Sequence, residues 1–155
     1  MTKEIAVDGE LLAVTFSLAE QRYALPLDAV LQVVRLPALT AVAGAPPMIC
    51  GLLNLRGLFL PVLDGRVLVG AEPAYSLDSC VIILAQYGQP ALGLLADTVE
   101  AVRSFSPKSL SAVTHGSAFI AGVSPDDEGG TILIDPEALH RIAAGAPALE
   151  TSALS

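Results

Sequence analysis

The sequence predicts a mainly β protein in which two small barrels or sandwiches are joined in one unit, together with short helices, one of them near the C terminus. Three observations lead to this fold class. Short apolar strand patterns separated by polar turns occur in both halves of the chain. The pattern D-x-V-x-x-V occurs twice at an offset of 69 residues, and helical patterns are few and short.

The first half of the chain begins with alternating apolar residues at 12–18, which predict a half-buried strand. A polar turn at 19–22 leads to a second strand at 23–27, and the first D-x-V-x-x-V follows at 28–33. Further along, the stretch NLRGLFLPVLD, residues 54–64, predicts a turn and then a buried strand that stops at Asp64.

The second half repeats this order. Strands are expected at 80–85 and 91–96 around a turn at 86–90, and the second D-x-V-x-x-V begins at Asp97. Two further pairs match at an offset of 71 residues, namely ICGL at 49–52 with IAGV at 120–123, and Leu63-Asp64 with Ile134-Asp135. Matches in one order at nearly constant spacing indicate an internal duplication, and the glycine in each I-x-G predicts a bulge or a close backbone approach.

One helix is well specified. Residues 135–141 start with an aspartate suited to the N-cap and a proline suited to the first turn, and basic residues follow near the end. Residues 64–70 form a weaker counterpart, because Gly65 is a poor helix former. We expect flexible tails at 1–10 and 144–155. The segment 104–118 has no clear period and is expected to be a contact surface or a mobile loop.

Composition limits the classes of function. A chain of 155 residues suits one domain, and with 53% hydrophobic but only 15% charged residues some apolar surface is expected to remain exposed for a partner. A net charge of −8 and only 5% aromatic residues argue against nucleic-acid binding. The uncharged stretch 36–55 is interrupted by prolines, so no membrane insertion is expected, and the absence of a secretory signal pattern predicts a cytoplasmic protein.

No catalytic, cofactor or metal site is expected. Four aspartates each follow a strand, but no D-T-G or D-S-G turn presents a carboxylate pair, so capping or turn roles are favoured; they are Asp28, Asp64, Asp97 and Asp135. His115 is expected in a solvated loop and His140 at a helix end. Cys50 and Cys80 lack metal-ligand spacing and are expected to be buried free thiols.

These motifs together resemble one family, the bacterial chemotaxis coupling proteins of the CheW type. The resemblance covers residues 11–142, and its most specific part is G-x-x-N-L-R-G-x-x-x-P-V-x-D within 45–66. It implies a CheW-like fold of two interlocked five-stranded barrels, SH3-like or OB-like, around a shared core. It also implies a single domain at 11–142 whose duplicated, intertwined halves are about 11–70 and 78–142.

The resemblance further implies a non-enzymatic adaptor that joins the regulatory domain of a CheA-type histidine kinase to the cytoplasmic tip of a methyl-accepting chemoreceptor, at receptor arrays near the inner membrane. Receptor contacts carried over by motif are Val30, Gln32, Val33, Gly51 and Arg56. The kinase contact is implied on an apolar barrel edge without assigned residues. Where the family commonly has Glu and D-L-R, this chain has Gln32 and Asp64-Gly65-Arg66, which leaves the choice of receptor open.

Alternatives stay open at this stage. Arg56 could contact a receptor carboxylate, or it could brace the fold by pairing with Asp64, Asp97 or Glu100. The adaptor could serve another chemosensory-like pathway, such as type IV pilus motility or developmental signalling. An aspartate-based hydrolase and a small-ligand or oligonucleotide-binding barrel are much weaker alternatives, because no catalytic constellation is present and the chain is acidic.

Overall fold

The computed structural model describes residues 6–7, 9–111, 119–125 and 129–145. Within these ranges, strands make up most of the regular structure. The strands are β1 (Ala6–Val7), β2 (Glu10–Leu18), β3 (Gln21–Pro26), β4 (Val30–Arg35), β5 (Ile49–Leu55), β6 (Leu58–Asp64), β7 (Cys80–Gln86), β8 (Gln89–Ala96), β9 (Thr98–Phe105), β10 (Ile120–Ser124) and β11 (Thr131–Ile134). The helices are α1 (Gly65–Leu68) and α2 (Pro136–Ala144), and 3₁₀ turns lie at Leu27–Ala29 and Pro107–Ser109.

The strands form two sheets that each take strands from both halves of the chain. In the first sheet the order is β9-β2-β3-β11-β10, with β1 also paired to β2. In the second sheet the order is β4-β7-β8-β6-β5. Because β2 pairs with β9 and β3 with β11, while β4 pairs with β7 and β6 with β8, the two halves are interlocked. The predicted mainly β fold class is confirmed.

An isolated bridge closes each sheet on itself. Thr40, in the segment after β4, pairs with Leu52 of β5, and Ser111, in the segment after β9, pairs with Val123 of β10. Each bridge carries two backbone hydrogen bonds of 2.8–2.9 Å. Each bridge therefore joins the two ends of its sheet's strand order, which leaves little unpaired edge on either sheet.

The internal duplication is visible in the pairing of the strands. The register of β5 with β6 shifts between Ile49 and Gly51, and the register of β10 with β11 shifts between Ile120 and Gly122. The last strand of each half also forms a parallel pair with a strand of the other half: β6 pairs with β8, and β11 pairs with β3. The bulge predicted from the I-x-G pattern is present in both halves.

One apolar cluster is shared between the sheets. Phe16 and Leu25 come from the first sheet, Leu84 and Leu94 from the second, and Leu139 from α2, and each is at most 1% exposed. Full burial of an aliphatic or aromatic side chain of this size contributes roughly 1.5–3 kcal/mol. The two sheets therefore depend on each other for their core.

A tight turn connects the two strands of the hairpin that begins each half. Ala19 and Glu20 between β2 and β3 have φ of 51° and 73°, and Tyr87 and Gly88 between β7 and β8 have φ of 54° and 77°. Two consecutive residues with positive φ match the twist of a two-residue hairpin loop. The turns are thus shorter than the predicted turn segments 19–22 and 86–90.

Both predicted helix starts are present. The Asp64 carboxylate accepts the backbone N–H groups of Arg66 and Val67, and the Asp135 carboxylate accepts that of Glu137. The expectation for His140 is wrong in one respect: it is buried in the middle of α2, and its Nε2 lies 3.1 Å from the Ala85 carbonyl oxygen. The helix is long enough to bring this side chain back over β7.

Several expectations concern segments beyond the described residues. These are the solvated position of His115, most of the predicted tails, and the part of segment 104–118 from residue 112 onward. Over the described ranges, neither helix has the length and apolar character that crossing a bilayer requires.

Candidate functional site: a cationic hairpin beside an exposed apolar strand

All five residues predicted to contact a receptor belong to the second sheet. Val30, Gln32 and Val33 lie on β4, Gly51 lies on β5, and Arg56 lies in the turn between β5 and β6. β4 and β5 are at opposite ends of the strand order, and the bridge between Thr40 and Leu52 brings those ends together. Four of the five residues therefore belong to the two strands at the ends of this sheet, and Arg56 lies in the turn that follows one of those strands.

The turn that carries Arg56 is held by its own neighbours. Arg56 and Gly57 have φ of 53° and 90°, and the Asn54 side-chain oxygen accepts the Gly57 N–H at 2.7 Å. Two positive φ angles in succession allow the direct two-residue connection between Leu55 and Leu58, which are paired. The N-L-R-G motif is thus a hairpin turn that displays the arginine at its tip, where the side chain is exposed.

The described residues offer Arg56 no internal acid. Each acid proposed as a brace has another role: the Asp64 carboxylate caps α1, Asp97 is bound to Arg66 at 2.7 Å, and Glu100 is bound to Arg22 at 3.0 Å. Within the described part of the chain, the Arg56 guanidinium makes no ion pair or hydrogen bond. The bracing alternative therefore has no support there.

Apolar side chains flank this cation. Leu58 and Phe59 are 47% and 52% exposed, because the first two residues of β6 extend past the barrel core. This corrects the expectation of a strand buried from its start. Phe59 is paired with Asn54, so the aromatic ring lies on the strand that leads away from the turn. A guanidinium beside apolar surface can bind a carboxylate while its stem covers hydrocarbon.

β4 exposes a second apolar group. Leu31 and Val33 are 46% and 38% exposed, and Gln32 between them is also exposed. The register with β7 shifts between Val30 and Gln32, so Leu31 is the extra residue of a bulge and the simple alternation of inward and outward side chains is interrupted. Val30 instead packs against the shared core.

Three exposed apolar residues were not predicted as candidate contact residues, namely Leu31, Leu58 and Phe59. Their apolar character is the same as that of core residues, and only tertiary packing shows that they are exposed. One sequence signal could have indicated that Leu31 is exposed. In the second D-x-V-x-x-V, at an offset of 69, the residue equivalent to Leu31 is Glu100, a charged side chain that favours solvent.

Gly51 lies where two backbone segments approach each other closely. It is buried with φ of 154°, and a Cβ placed there would lie 2.9 Å from Leu39 Cβ and 3.0 Å from the Thr40 carbonyl oxygen. The lack of a side chain at Gly51 therefore permits the segment after β4 to approach β5 and close the barrel. The role carried over from the family as a receptor contact remains a prediction for this residue.

We expect Gly51→Ala to lower stability by about 2–4 kcal/mol, through strain at positive φ and the clash with backbone. This corresponds to a fall of about 6–12 °C in melting temperature for a domain of this size. The matched control is Gly122→Ala at the repeat-equivalent position, where φ is not positive and the nearest atom, the Ser111 carbonyl oxygen, is 3.4 Å away. Equal melting temperatures for the two variants would contradict the closure role.

The thiol of Cys50 is half-buried and free, as is that of Cys80, so the expectation of free thiols is confirmed but neither is fully buried. Burial, with a second contribution from the nearby Asp64 charge, raises the pKa of Cys50 from its ordinary value of 9.0 to about 11. Because this pKa is raised in the folded state, its contribution to stability is present below pH 9 and is lost as the pH rises to 11.

We expect Cys50 to be alkylated at least about tenfold more slowly by iodoacetamide at pH 8 in the folded protein than in the urea-unfolded chain, because only the thiolate reacts. Peptide mass spectrometry distinguishes Cys50 from Cys80. The folded-state rate should rise steeply between pH 9 and 11. A folded rate equal to the unfolded rate at pH 8 would contradict the raised pKa.

The described residues contain no arrangement suited to a metal or to carboxylate chemistry. No group of three potential ligands among His, Cys, Asp and Glu comes together in them. Asp64 and Asp97, the pair of the hydrolase alternative, are each held in a structural role, one by backbone N–H groups and the other by an arginine.

Two interlocked barrels that present a cation and exposed apolar strands have the surface features of a scaffold that binds other proteins. The comparisons with known proteins agree with this class. The chain belongs to the CheW-like domain family, whose sequence model matches residues 12–143. It is a member of a family of chemotaxis scaffolds.

Relatives from distant bacteria show the same likeness. A protein named Chemotaxis protein CheW from Klebsiella aerogenes is 28% identical over 80% of this chain and 78% of the relative. Another of that name from Bacillus subtilis is 31% identical over 75% of this chain and 73% of the relative. The crystal structure of the scaffolding protein TtCheW from Thermoanaerobacter tengcongensis is 34% identical, with a TM-score of 0.71 over 79% of this chain and 87% of that chain.

Proposed function

We propose that this chain is a non-enzymatic adaptor in the cytoplasm that couples the tip of a methyl-accepting chemoreceptor to a CheA-type histidine kinase. The observation that carries the proposal is the position of Arg56: an exposed guanidinium at a hairpin tip, beside Leu58 and Phe59, without an internal acid in the described residues. A cation in this setting suits an acidic, partly apolar helical surface, which is the character expected of a receptor tip.

The exposed residues of β4 extend the proposed contact. Leu31 and Val33 supply apolar area, and Gln32 between them supplies a neutral polar group. The domain limits predicted at 11–142, with halves of about 11–70 and 78–142, remain part of the proposal, as do Val30, Gln32, Val33, Gly51 and Arg56 as receptor contacts. An adaptor also needs a second surface for the kinase, which is proposed to be an apolar barrel edge without assigned residues.

Reconstitution tests this proposal. Purified kinase and a receptor preparation are combined with and without the chain, and autophosphorylation of the kinase is measured with and without receptor stimulus. We expect receptor control of kinase activity only when the chain is present, because it holds both partners at once. A kinase that responds to the receptor equally well without the chain would contradict the proposal.

Binding to each partner is measured separately by calorimetry, so that a failure of coupling can be assigned to one interface. The chain should bind the receptor tip and the kinase regulatory domain independently. Failure to bind either partner would reject the adaptor role, whichever pathway supplies the partners. Co-purification of a kinase and receptor from a different chemosensory pathway would instead identify that pathway.

A further inference from the structure

The main chain passes between the two sheets at two places that the duplication relates. It leaves the first sheet between β3 and β4, through the 3₁₀ turn Leu27–Ala29 that contains Asp28. It returns from the second sheet to the first between β8 and β9, at Asp97. Asp28 and Asp97 are the first residues of the two D-x-V-x-x-V patterns and are 69 residues apart.

At the second crossover, one carboxylate joins the two barrels. Asp97 Oδ2 lies 2.7 Å from Arg66 Nη1, and it accepts the backbone N–H of Ala19 at 2.8 Å. Arg66 is in α1, the helix that directly follows β6 of the second sheet. Ala19 is in the β2–β3 turn of the first sheet. The Asp97 N–H also donates to the Ser17 carbonyl oxygen at 3.0 Å.

The arginine in this pair is itself held in place. Its Nε donates to the Glu72 carbonyl oxygen at 2.7 Å, and its side chain and that of Asp97 are only 23% and 25% exposed. A guanidinium bound through two different nitrogens has little rotational freedom. Sheltering from water also strengthens this ion pair relative to one on an open surface.

At the first crossover, the described residues form no equivalent ion pair. By the duplication, Asp28 is equivalent to Asp97 at an offset of 69, and Glu137 is equivalent to Arg66 at an offset of 71. Asp28 and Glu137 are both acids, so they cannot form the ion pair that Asp97 and Arg66 form. Asp28 and Glu137 are both exposed. Of the two crossovers, only the one at Asp97 is therefore fixed by an ion pair within the described residues.

We propose that Arg66 and Asp97 are positioning residues that fix the two barrels relative to each other at the second crossover. This inference rests on the proposed function, because an adaptor that holds receptor and kinase on different surfaces transmits a signal only if those surfaces keep a defined relative placement. The pair makes no contact with either partner. It acts by determining how the first sheet is oriented on the second.

The test compares Arg66→Ala with Arg141→Ala in the full chain. Arg141 is the matched control, because it also forms an ion pair from a short helix, with Asp135, but at 3.9 Å and with a side chain that is 68% exposed. NMR residual dipolar couplings measure the relative orientation of the two sheets. Amide hydrogen exchange measures the protection of the Ala19 N–H that donates to Asp97.

For Arg66→Ala, we expect a change in the relative orientation of the sheets and about tenfold faster exchange of the Ala19 amide, with each sheet internally unchanged. Receptor control of kinase activity should fall while the affinity for each partner measured alone is retained. Arg141→Ala should match the wild type in all four measurements. Arg66→Lys, which can keep the ion pair with Asp97, should restore part of the orientation and of the control.

Unchanged couplings and exchange in Arg66→Ala would overturn the proposal. So would a changed orientation accompanied by full receptor control of the kinase. These outcomes are distinguishable from failure of the proposed function itself, because that failure would appear as absent coupling by the wild-type chain, whereas the orientation and exchange measurements need no partner.

Discussion

Gly65→Leu is expected to destabilise the protein by about 3–5 kcal/mol, because the added side chain would overpack a closely filled site. A Cβ on Gly65 would lie 2.6 Å from Leu18 Cδ2 and 2.6 Å from the Leu95 carbonyl oxygen. The leucine side chain can shift, but the Leu95 backbone belongs to β8 and cannot move without disturbing its pairing with β6. The gain of about 1 kcal/mol in helix propensity does not offset such overpacking.

Thermal and urea unfolding measure this effect, and a fall of about 10 °C or more in melting temperature is expected. Gly65→Ala provides a smaller change in which the Cβ clash remains, so that an effect can be measured even if the leucine variant fails to fold. Ala144→Leu is the control, because this residue is exposed at the end of α2. A Gly65→Leu variant as stable as the wild type would show that Leu18 and β8 can make room.

Arg56→Glu is expected to weaken receptor binding by about 100-fold, since the change removes a charge-assisted hydrogen bond and places an acid against an acidic partner. The melting temperature should change by no more than about 2 °C, because Arg56 is exposed and binds no acid in the described residues. Calorimetric titration with a receptor-tip fragment gives the affinity, and binding to the kinase should be retained.

Lys108→Glu is the control for net charge. Lys108 is an exposed cation in the 3₁₀ turn Pro107–Ser109 that follows β9, away from the β5–β6 hairpin in the chain, and its replacement changes the total charge by the same amount. If both variants lose affinity equally, the effect is general electrostatics and Arg56 has no specific role. If Arg56→Glu unfolds the protein instead, the arginine supports the fold.

The two predictions separate stability from recognition in neighbouring parts of one barrel. Gly65 lies where β6 ends and α1 begins, deep against the first sheet, and tolerates no added atoms. Arg56 lies at the opposite end of β6, beyond the packed core. The same strand therefore has a conformationally restricted end that joins the barrels and a free end that presents a side chain to a partner.

The sequence predicted most of the local structure. Apolar strand patterns located β2 and β7 within two residues, and the aspartates before α1 and α2 were predicted as caps because a carboxylate there satisfies free N–H groups. The glycines of the two I-x-G patterns predicted the bulges at Gly51 and Gly122. These features depend on residues close together in the chain.

The position of apolar residues relative to solvent could not be predicted in the same way. Leu58 and Phe59 continue a pattern that leads into a buried strand, yet they are exposed because the hairpin extends beyond the second barrel. His140 has a polar side chain near the end of the sequence, yet it is buried because α2 packs back over β7. Exposure is decided by which elements lie above a residue, and local composition carries little information about that.

By itself, the sequence determined that this protein is a duplicated β unit with two capped helices, few charges and an N-L-R-G turn, since strand period, turn chemistry and capping act over a few residues. Only the tertiary structure decided that each sheet takes strands from both halves, that Arg66 binds Asp97, and that Arg56 is left without an internal acid in the described residues. The physical reason is that equivalent strands and acids occur twice in the chain, and only packing around the shared core selects among their possible partners.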